Sequence, residues 1–200
     1  MKGVYPESRI LMIEANPNCA KELSNQDAIV EIALLGSESG LEKTYYTVNG
    51  GDSSGNSTYR ERTSAYDDER CTALKMITQT LDEIVESHGM KPDFLKLDVQ
   101  GAELDVLLGG EKVISTCEFI LLEVGMAEFN AGSPTFFQIL SYMDQVGFEI
   151  FDLVELKYLP YAHCMCGSAN KRLNEMDILF VRKGTPYRKN LDKAVGLIDR

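Results

Sequence analysis

The sequence predicts an α/β fold with a mostly parallel sheet that ends in an antiparallel hairpin at one edge. Two observations lead to this prediction. Short apolar runs of strand length alternate along the chain with amphipathic segments of helix length, which is the order of βαβ units. The last two apolar runs have no helical segment between them, so they are expected to pair directly with each other as a hairpin.

Each predicted strand is a short run of apolar and β-branched residues that ends at a polar residue or a turn-forming residue. The first run, RILMIEA, stops at Asn16-Pro17, because the residue before a proline disfavours helix. The run FLKLDV is followed by Gly101, which allows a tight turn. In chain order the predicted strands are residues 9–15, 28–35, 44–48, 94–99, 117–124, 148–156 and 176–182.

The predicted helices are recognised by apolar residues three and four positions apart. Leu81, Ile84 and Val85 show this spacing, and Gly89 and Pro92 follow them as stop signals. The predicted helices are residues 19–25, 78–88, 102–114 and 136–146. The stretch 49–57 is rich in Gly, Ser and Asn and lacks the lysine of a phosphate-binding loop, so we expect a loop with no nucleotide role.

Length and charge limit the classes of function. With 200 residues the chain is expected to form one domain over residues 1–184, followed by a polar tail over residues 185–200. Its net charge of −11 repels a phosphate backbone, so no nucleic acid partner is expected. There is no membrane-length apolar run and no secretion signal, and we therefore expect a cytoplasmic protein without a membrane partner.

Five scattered cysteines are an odd number and a poor disulfide framework, which suits a reducing compartment. Cys164 and Cys166 are close together and follow His163. A zinc site needs three or four ligands, and no second pair lies at a suitable spacing. An ordinary loop is therefore favoured over metal or redox chemistry, and no metal is expected.

Polar residues end three of the predicted strands, and these are the candidate functional residues. In open parallel sheets, ligands bind beyond the carboxyl ends of the strands. Glu14 and Asn16 lie at the end of the first strand, Asp98 and Gln100 at the end of the fourth, and Glu123 at the end of the fifth. A carboxylate such as Glu14 can accept two hydrogen bonds from the hydroxyls of a ribose. Any single acid here could equally be an exposed strand end, but together they favour a site.

The segment PDFLKLDVQGAELDVLLGG resembles the signature of the FkbM-type methyltransferases. Ile13-Glu14-Ala15-Asn16-Pro17 resembles the second-strand motif of that family, Thr80-Leu81-Asp82-Glu83 its helix entry, and Leu121-Leu122-Glu123 the end of its fifth strand. The order and spacing match over residues 9–183. Gln100 stands where many members have Glu, so a hydrogen-bonding group remains there without the charge.

The resemblance implies a Rossmann-like class I methyltransferase fold. It also implies methyl transfer from S-adenosyl-L-methionine to a hydroxyl oxygen of a sugar or other small metabolite. The candidates for catalytic base or acceptor contact are Asp98, Glu123 and His163. The candidates for cofactor binding are Glu14 for the ribose, Ala33 and Leu34 beside the adenine, and Asn16, Asp98 and Gln100. Asp98 could instead bind the amino group of the cofactor. The oligomeric state is not predicted.

The resemblance also implies a first strand and a glycine-rich turn that this sequence does not show. We therefore expect an unfilled position between the strands at 9–15 and 94–99, poor stability, and weak cofactor binding. Two alternatives stay open on sequence grounds. One is a catalytically inactive Rossmann-like binding domain, and the other is a different adenosine-cofactor enzyme such as an NAD(P) oxidoreductase.

Overall fold

The computed structural model describes residues 6–48, 55–60, 62, 71–126, 130–160 and 171–186. The described residues form an α/β arrangement, as expected. The strands are β1 (Leu11–Glu14), β2 (Ile29–Ile32), β3 (Leu34–Leu35), β4 (Glu42–Val48), β5 (Cys71–Gln79), β6 (Phe94–Leu97), β7 (Phe119–Gly125), β8 (Phe148–Pro160) and β9 (Lys171–Arg182). Of the proposed polar tail, residues 187–200 lie outside the described residues.

The helices are short. A 3₁₀ helix at Pro17–Cys19 leads into α1 (Ala20–Leu23), and the others are α2 (Leu81–Ser87), α3 (Glu103–Leu108), α4 (Glu111–Thr116) and α5 (Phe136–Gln145). In the part of the chain that the structure describes, no helix combines the length and the apolar character that a membrane crossing requires.

The strands form three sheets of mixed direction, so the predicted mostly parallel arrangement is not confirmed. β1 pairs with β2 in parallel, and β5 pairs with β3 in parallel and with β4 in antiparallel direction. The largest sheet has the order β6-β7-β9-β8, in which only β6 and β7 are parallel. The predicted antiparallel hairpin is present as β8 and β9, with β8 at the edge.

The difference from the prediction comes largely from β5, which the sequence reading missed. Its residues are mostly half-exposed or exposed, so it has no continuous apolar run. Thr78 and Gln79 were expected to begin a helix, but they end this strand. The helix begins one residue after them, because the Thr80 hydroxyl accepts a hydrogen bond from the Glu83 amide at 3.3 Å and caps it.

The single helix predicted over residues 102–114 is two helices, α3 and α4, divided at Gly109-Gly110. A Cβ atom at Gly109 would collide with the backbone carbonyl of Gly36. The glycine therefore lets the helix pair pack directly against the backbone that follows β3. A longer side chain at this position would push the two segments apart.

The core lies between the β6-β7-β9-β8 sheet and the helices that cover it. Its fully buried side chains include Ile120, Leu122, Ile178 and Phe180 from the sheet and Leu107, Ile139 and Met143 from the helices. Cys117 is also fully buried, and burial raises the pKa of its thiol to about 12. Arg182 donates its Nε–H to the Cys117 carbonyl at 2.8 Å and also donates to the Ile114 carbonyl.

β1 and β6, the strands expected to flank an unfilled position, belong to different sheets. Within the described residues β1 pairs with β2 alone, and β6 pairs with β7 alone. The space between β1 and β6 opens at the carboxyl ends of both strands. This opening is the candidate site.

Candidate active site

A cavity of about 360 Å³ lies where the carboxyl ends of β1, β6 and β7 meet. Its volume is in the usual range for a small-molecule site. Most residues predicted from the sequence line it, namely Glu14, Ala33, Leu34, Asp98, Gln100 and Glu123. The structure thus brings the strand-end acids together around one space, although β1 lies in a different sheet from β6 and β7.

Among the described residues, one predicted site residue, Asn16, is not part of the lining. Asn16 is buried, and its side-chain oxygen accepts a hydrogen bond from the Asn18 amide at 3.0 Å, which caps the 3₁₀ helix. Its backbone amide donates to Glu14 Oε1 at 2.7 Å, so Asn16 orients the Glu14 carboxylate. A direct role of Asn16 in cofactor binding stays a prediction. His163 lies outside the described residues, together with Cys164 and Cys166.

Gln100 links the two central carboxylates. Its Nε2 donates to Glu123 Oε1 at 2.7 Å and to Asp98 Oδ1 at 3.2 Å. The other Asp98 oxygen accepts a hydrogen bond from Lys96 Nζ at 3.1 Å. The Gln100 amide therefore bridges two acids that a carboxylate at the same position would repel.

Glu123 and Asp98 differ in their access to a ligand. The side chain of Glu123 is 5% exposed and ion-paired with Lys157, whereas that of Asp98 is 41% exposed. The hydrogen bond to Glu123 raises the pKa of Lys157, so the lysine stays charged. Lys157 comes from β8 and was not predicted from the sequence. Its signal was weak, since it is a lone lysine in a strand that was expected to end at residue 156.

The turn after β6 has an unusual backbone. Gln100 has a φ of 52°, and Gly101 has a φ of 95°. A Cβ atom at Gly101 would lie 3.0 Å from the side chains of Asn130 and Ser133, so glycine is required there for both conformation and space. A left-handed glutamine is uncommon, which indicates that its surroundings hold it in place.

Glu103, the first residue of α3, is 3% exposed. Its Oε1 accepts hydrogen bonds from the amides of Val99 at 3.1 Å and Gly101 at 3.2 Å. Burial raises its pKa to about 7, although these hydrogen bonds oppose the shift. Glu103 is the second residue of the helix predicted over residues 102–114.

The segment 55–60 forms a wall of the cavity that the sequence reading missed. Asn56, Ser57 and Thr58 line the cavity. The first two belong to the stretch 49–57, which was expected to be a loop with no nucleotide role. Ser57 is buried and donates its hydroxyl to the Gln100 carbonyl at 2.7 Å. Tyr59 donates its hydroxyl to Asp105 at 3.1 Å, and burial together with Asp105 raises its pKa to about 12.

Among the described residues, no three histidine, cysteine or acidic side chains are grouped so that they could hold a metal ion. A second cavity of about 30 Å³ adjoins the first, and Gln100, Glu103 and Glu123 line it together with Glu175. The chemistry available to the described site is therefore that of carboxylates, amides, hydroxyls and one lysine.

Comparison with known proteins gives one match. Residues 4–150 match the family model described as the methyltransferase FkbM domain. No curated protein and no solved structure matches the chain. The family match covers β1 to β7 and every described residue of the cavity except Lys157. Because it spans more than half of the sequence, the protein belongs to the FkbM methyltransferase family.

Proposed function

We propose that the cavity binds S-adenosyl-L-methionine and that the enzyme transfers its methyl group to a hydroxyl oxygen of a sugar or other small metabolite. One observation carries this proposal. Glu14, Asp98 and Glu123, from the ends of three separate strands, line the same cavity. Their positions match those at which adenosine cofactors bind in open α/β sheets.

The charges of the cavity suit this cofactor. Three carboxylates line it, and Lys157 is the single lysine or arginine among its described lining residues. Adenosylmethionine carries a sulfonium, an ammonium and a carboxylate, so its net charge is positive. An excess of acids attracts such a ligand, and the low dielectric of a partly enclosed cavity strengthens the attraction.

The residues divide into four proposed roles. Glu14, oriented by the Asn16 amide, accepts hydrogen bonds from the ribose hydroxyls. Ala33 and Leu34 are buried and give the adenine a flat apolar surface. Asp98 is the more accessible central acid, and it either receives the proton of the acceptor hydroxyl or binds the amino group of the cofactor. Glu123 is held by Gln100 and Lys157 and keeps both in place.

When bound, the cofactor supplies an electrophilic methyl group. The carbon–sulfur bond breaks as the acceptor oxygen bonds to that carbon, giving a methyl ether, S-adenosylhomocysteine and a proton. The protein holds the acceptor in line with the methyl group, and such positioning supplies much of the rate. A carboxylate next to the acceptor hydroxyl takes up the proton.

Calorimetric titration with adenosylmethionine and S-adenosylhomocysteine tests the binding half of the proposal. Glu14→Ala should weaken binding by about 10- to 150-fold, because it removes hydrogen bonds to a charged group. Glu14→Gln should recover part of this loss. Glu22→Ala removes an exposed acid on α1 and is the matched control, with no change expected.

Titration with NAD and NADP, and incubation with methyl-labelled cofactor and a panel of sugars, complete the test. If calorimetry detects binding of NAD or NADP but no binding of adenosylmethionine, the proposal is overturned in favour of an oxidoreductase. Binding without transfer to any hydroxyl acceptor would remove the proposed reaction and leave a binding domain.

A further inference from the structure

The turn that joins β6 to α3 contacts several parts of the candidate site. Its Gln100 side chain bridges Asp98 and Glu123, as described above. The Gln100 carbonyl accepts hydrogen bonds from the Ser57 hydroxyl and from the Asn130 side-chain amide. One residue thus joins two strand ends to the segments 55–60 and 130–135.

Gln100 reaches these partners only in its left-handed conformation. Rotation to an ordinary φ would turn the side chain and the carbonyl away from their present partners. The amides of Val99 and Gly101, on either side of Gln100, both donate to Glu103 Oε1. A single buried carboxylate oxygen therefore holds both ends of the residue that adopts the unusual conformation.

We infer that Glu103 is a positioning residue that acts through Gln100. Its carboxylate fixes the turn, the turn fixes Gln100, and Gln100 sets the relative placement of Asp98 and Glu123. This inference rests on the proposed function where it concerns the cofactor. Glu103 does not line the large cavity, so it makes no contribution there by direct ligand contact.

Two variants of Glu103 with side chains of similar shape distinguish the effect of its hydrogen-bond acceptor from the effect of its volume. Glu103→Gln keeps an oxygen that can accept from both amides, whereas Glu103→Met fills the space without that oxygen. Glu111→Met is the matched control, because Glu111 is also the first residue of a short helix but is exposed.

The first readout is the position and the line width of the Gln100 side-chain amide signal in a ¹H–¹⁵N spectrum, which needs no ligand. We expect this signal to be unchanged in Glu103→Gln and Glu111→Met. In Glu103→Met the Gln100 signal should move to the position of a solvent-exposed glutamine. The backbone amide signals of Val99 and Gly101 should shift as well, because they lose their acceptor. An unmoved Gln100 signal in a folded Glu103→Met protein would overturn the inference.

The second readout is a double-mutant cycle on adenosylmethionine affinity, using Gln100→Asn as the partner variant. Asparagine tolerates the left-handed conformation but is too short to bridge both acids. Glu103→Met should weaken binding by about 10-fold in the natural background and by less than about 2-fold in Gln100→Asn. Equal losses in both backgrounds would show that Glu103 does not act through Gln100.

The two proposals fail separately. Absence of cofactor binding by the natural protein would reject the proposed function, while the ligand-free spectra would still decide the role of Glu103. Normal cofactor binding with an unmoved Gln100 signal would reject the positioning role and leave the proposed function intact.

Discussion

The β6-β7-β9-β8 sheet and the β1-β2 pair differ sharply in packing. In β7, the side chains of Ile120, Leu122 and Val124 are completely buried. In β1 and β2, by contrast, every residue is at least partly exposed. The large sheet has helices packed on it, whereas the two-stranded pair contributes Leu11 and Ile13 to the margin of the core.

This contrast indicates that folding stability and ligand binding depend on different parts of the molecule. Hydrophobic burial is the main source of folding free energy, so the large sheet must supply most of it. The β1-β2 pair supplies Glu14, and Ala33 follows it directly. The cavity therefore lies between the tightly packed β7 and the partly exposed β1-β2 pair.

The largest expected difference between the two regions comes from one substitution made in each. Ile120→Ala should lower the free energy of unfolding by about 4 kcal/mol, because it leaves a cavity in a fully packed core. Ile29→Ala on half-buried β2 should cost about 1 kcal/mol. Urea unfolding measures both. Equal losses would show that the β1-β2 pair is as much part of the core as β7.

The pH dependence of stability tests the buried acid at the boundary between the regions. The pKa of Glu103 is raised from 4.5 to about 7, so the folded state keeps a proton that the unfolded state releases. The free energy of unfolding should therefore fall by about 3 kcal/mol as pH rises from about 4.5 to about 7, and then level off.

The Glu103→Gln protein has no ionisable group at this position. The difference in the free energy of unfolding between it and the natural protein, measured at each pH, therefore isolates the contribution of Glu103. Glu123, Glu175 and Tyr59 surround Glu103 and contribute to the stability of both proteins. A difference that does not change between about pH 4.5 and 7 would contradict the raised pKa.

Arg182 tests whether the large sheet is stabilised independently of the site. Its guanidinium donates to two carbonyls at the end of α4 and lies 4.6 Å from the centre of the Phe148 ring. Arg182→Ala should cost about 2 kcal/mol of stability and leave adenosylmethionine affinity unchanged. Arg182→Lys keeps the charge without the forked geometry and should recover less than half. A loss of adenosylmethionine affinity would show that the end of β9 at Arg182 is energetically coupled to the cavity.

The smallest effect is expected at the surface. Lys112 pairs with Glu86 across α4 and α2, and both side chains are more than two-thirds exposed. Lys112→Ala should leave the free energy of unfolding unchanged within experimental error, because solvent screens such pairs. A larger loss in thermal unfolding would mean that the packing of α2 on α4 depends on this pair.

The parts of the fold predicted correctly are those with strong local patterns. Apolar runs predicted β6, β7 and the final hairpin, although β8 of that hairpin is mostly exposed. β5 was missed because most of its residues face solvent, and the α3–α4 break was missed because only the contact of Gly109 with Gly36 requires it. Such long-range contacts leave little trace in the local sequence.

The site was predictable where strand ends dictate it. Glu14, Asp98 and Glu123 were predicted from their positions at strand ends, and the structure places them around one cavity, although β1 lies in a different sheet from β6 and β7. Their roles stay predictions. Lys157 and Ser57 were not, since one lies on a hairpin with irregular register and the other in a loop without a motif. Their places depend on tertiary packing that one-dimensional patterns do not encode.

The buried thiol of Cys117 gives the protein an internal reporter. With a pKa of about 12 and no solvent exposure, it carries almost no thiolate at neutral pH and no reagent can reach it. Alkylation of Cys117 therefore requires the core around β7 and α4 to open. The rate at which an alkylating reagent labels Cys117 therefore reports how often the large sheet opens. A spectroscopic signal averaged over the whole molecule would not distinguish this opening from motions of the β1-β2 pair.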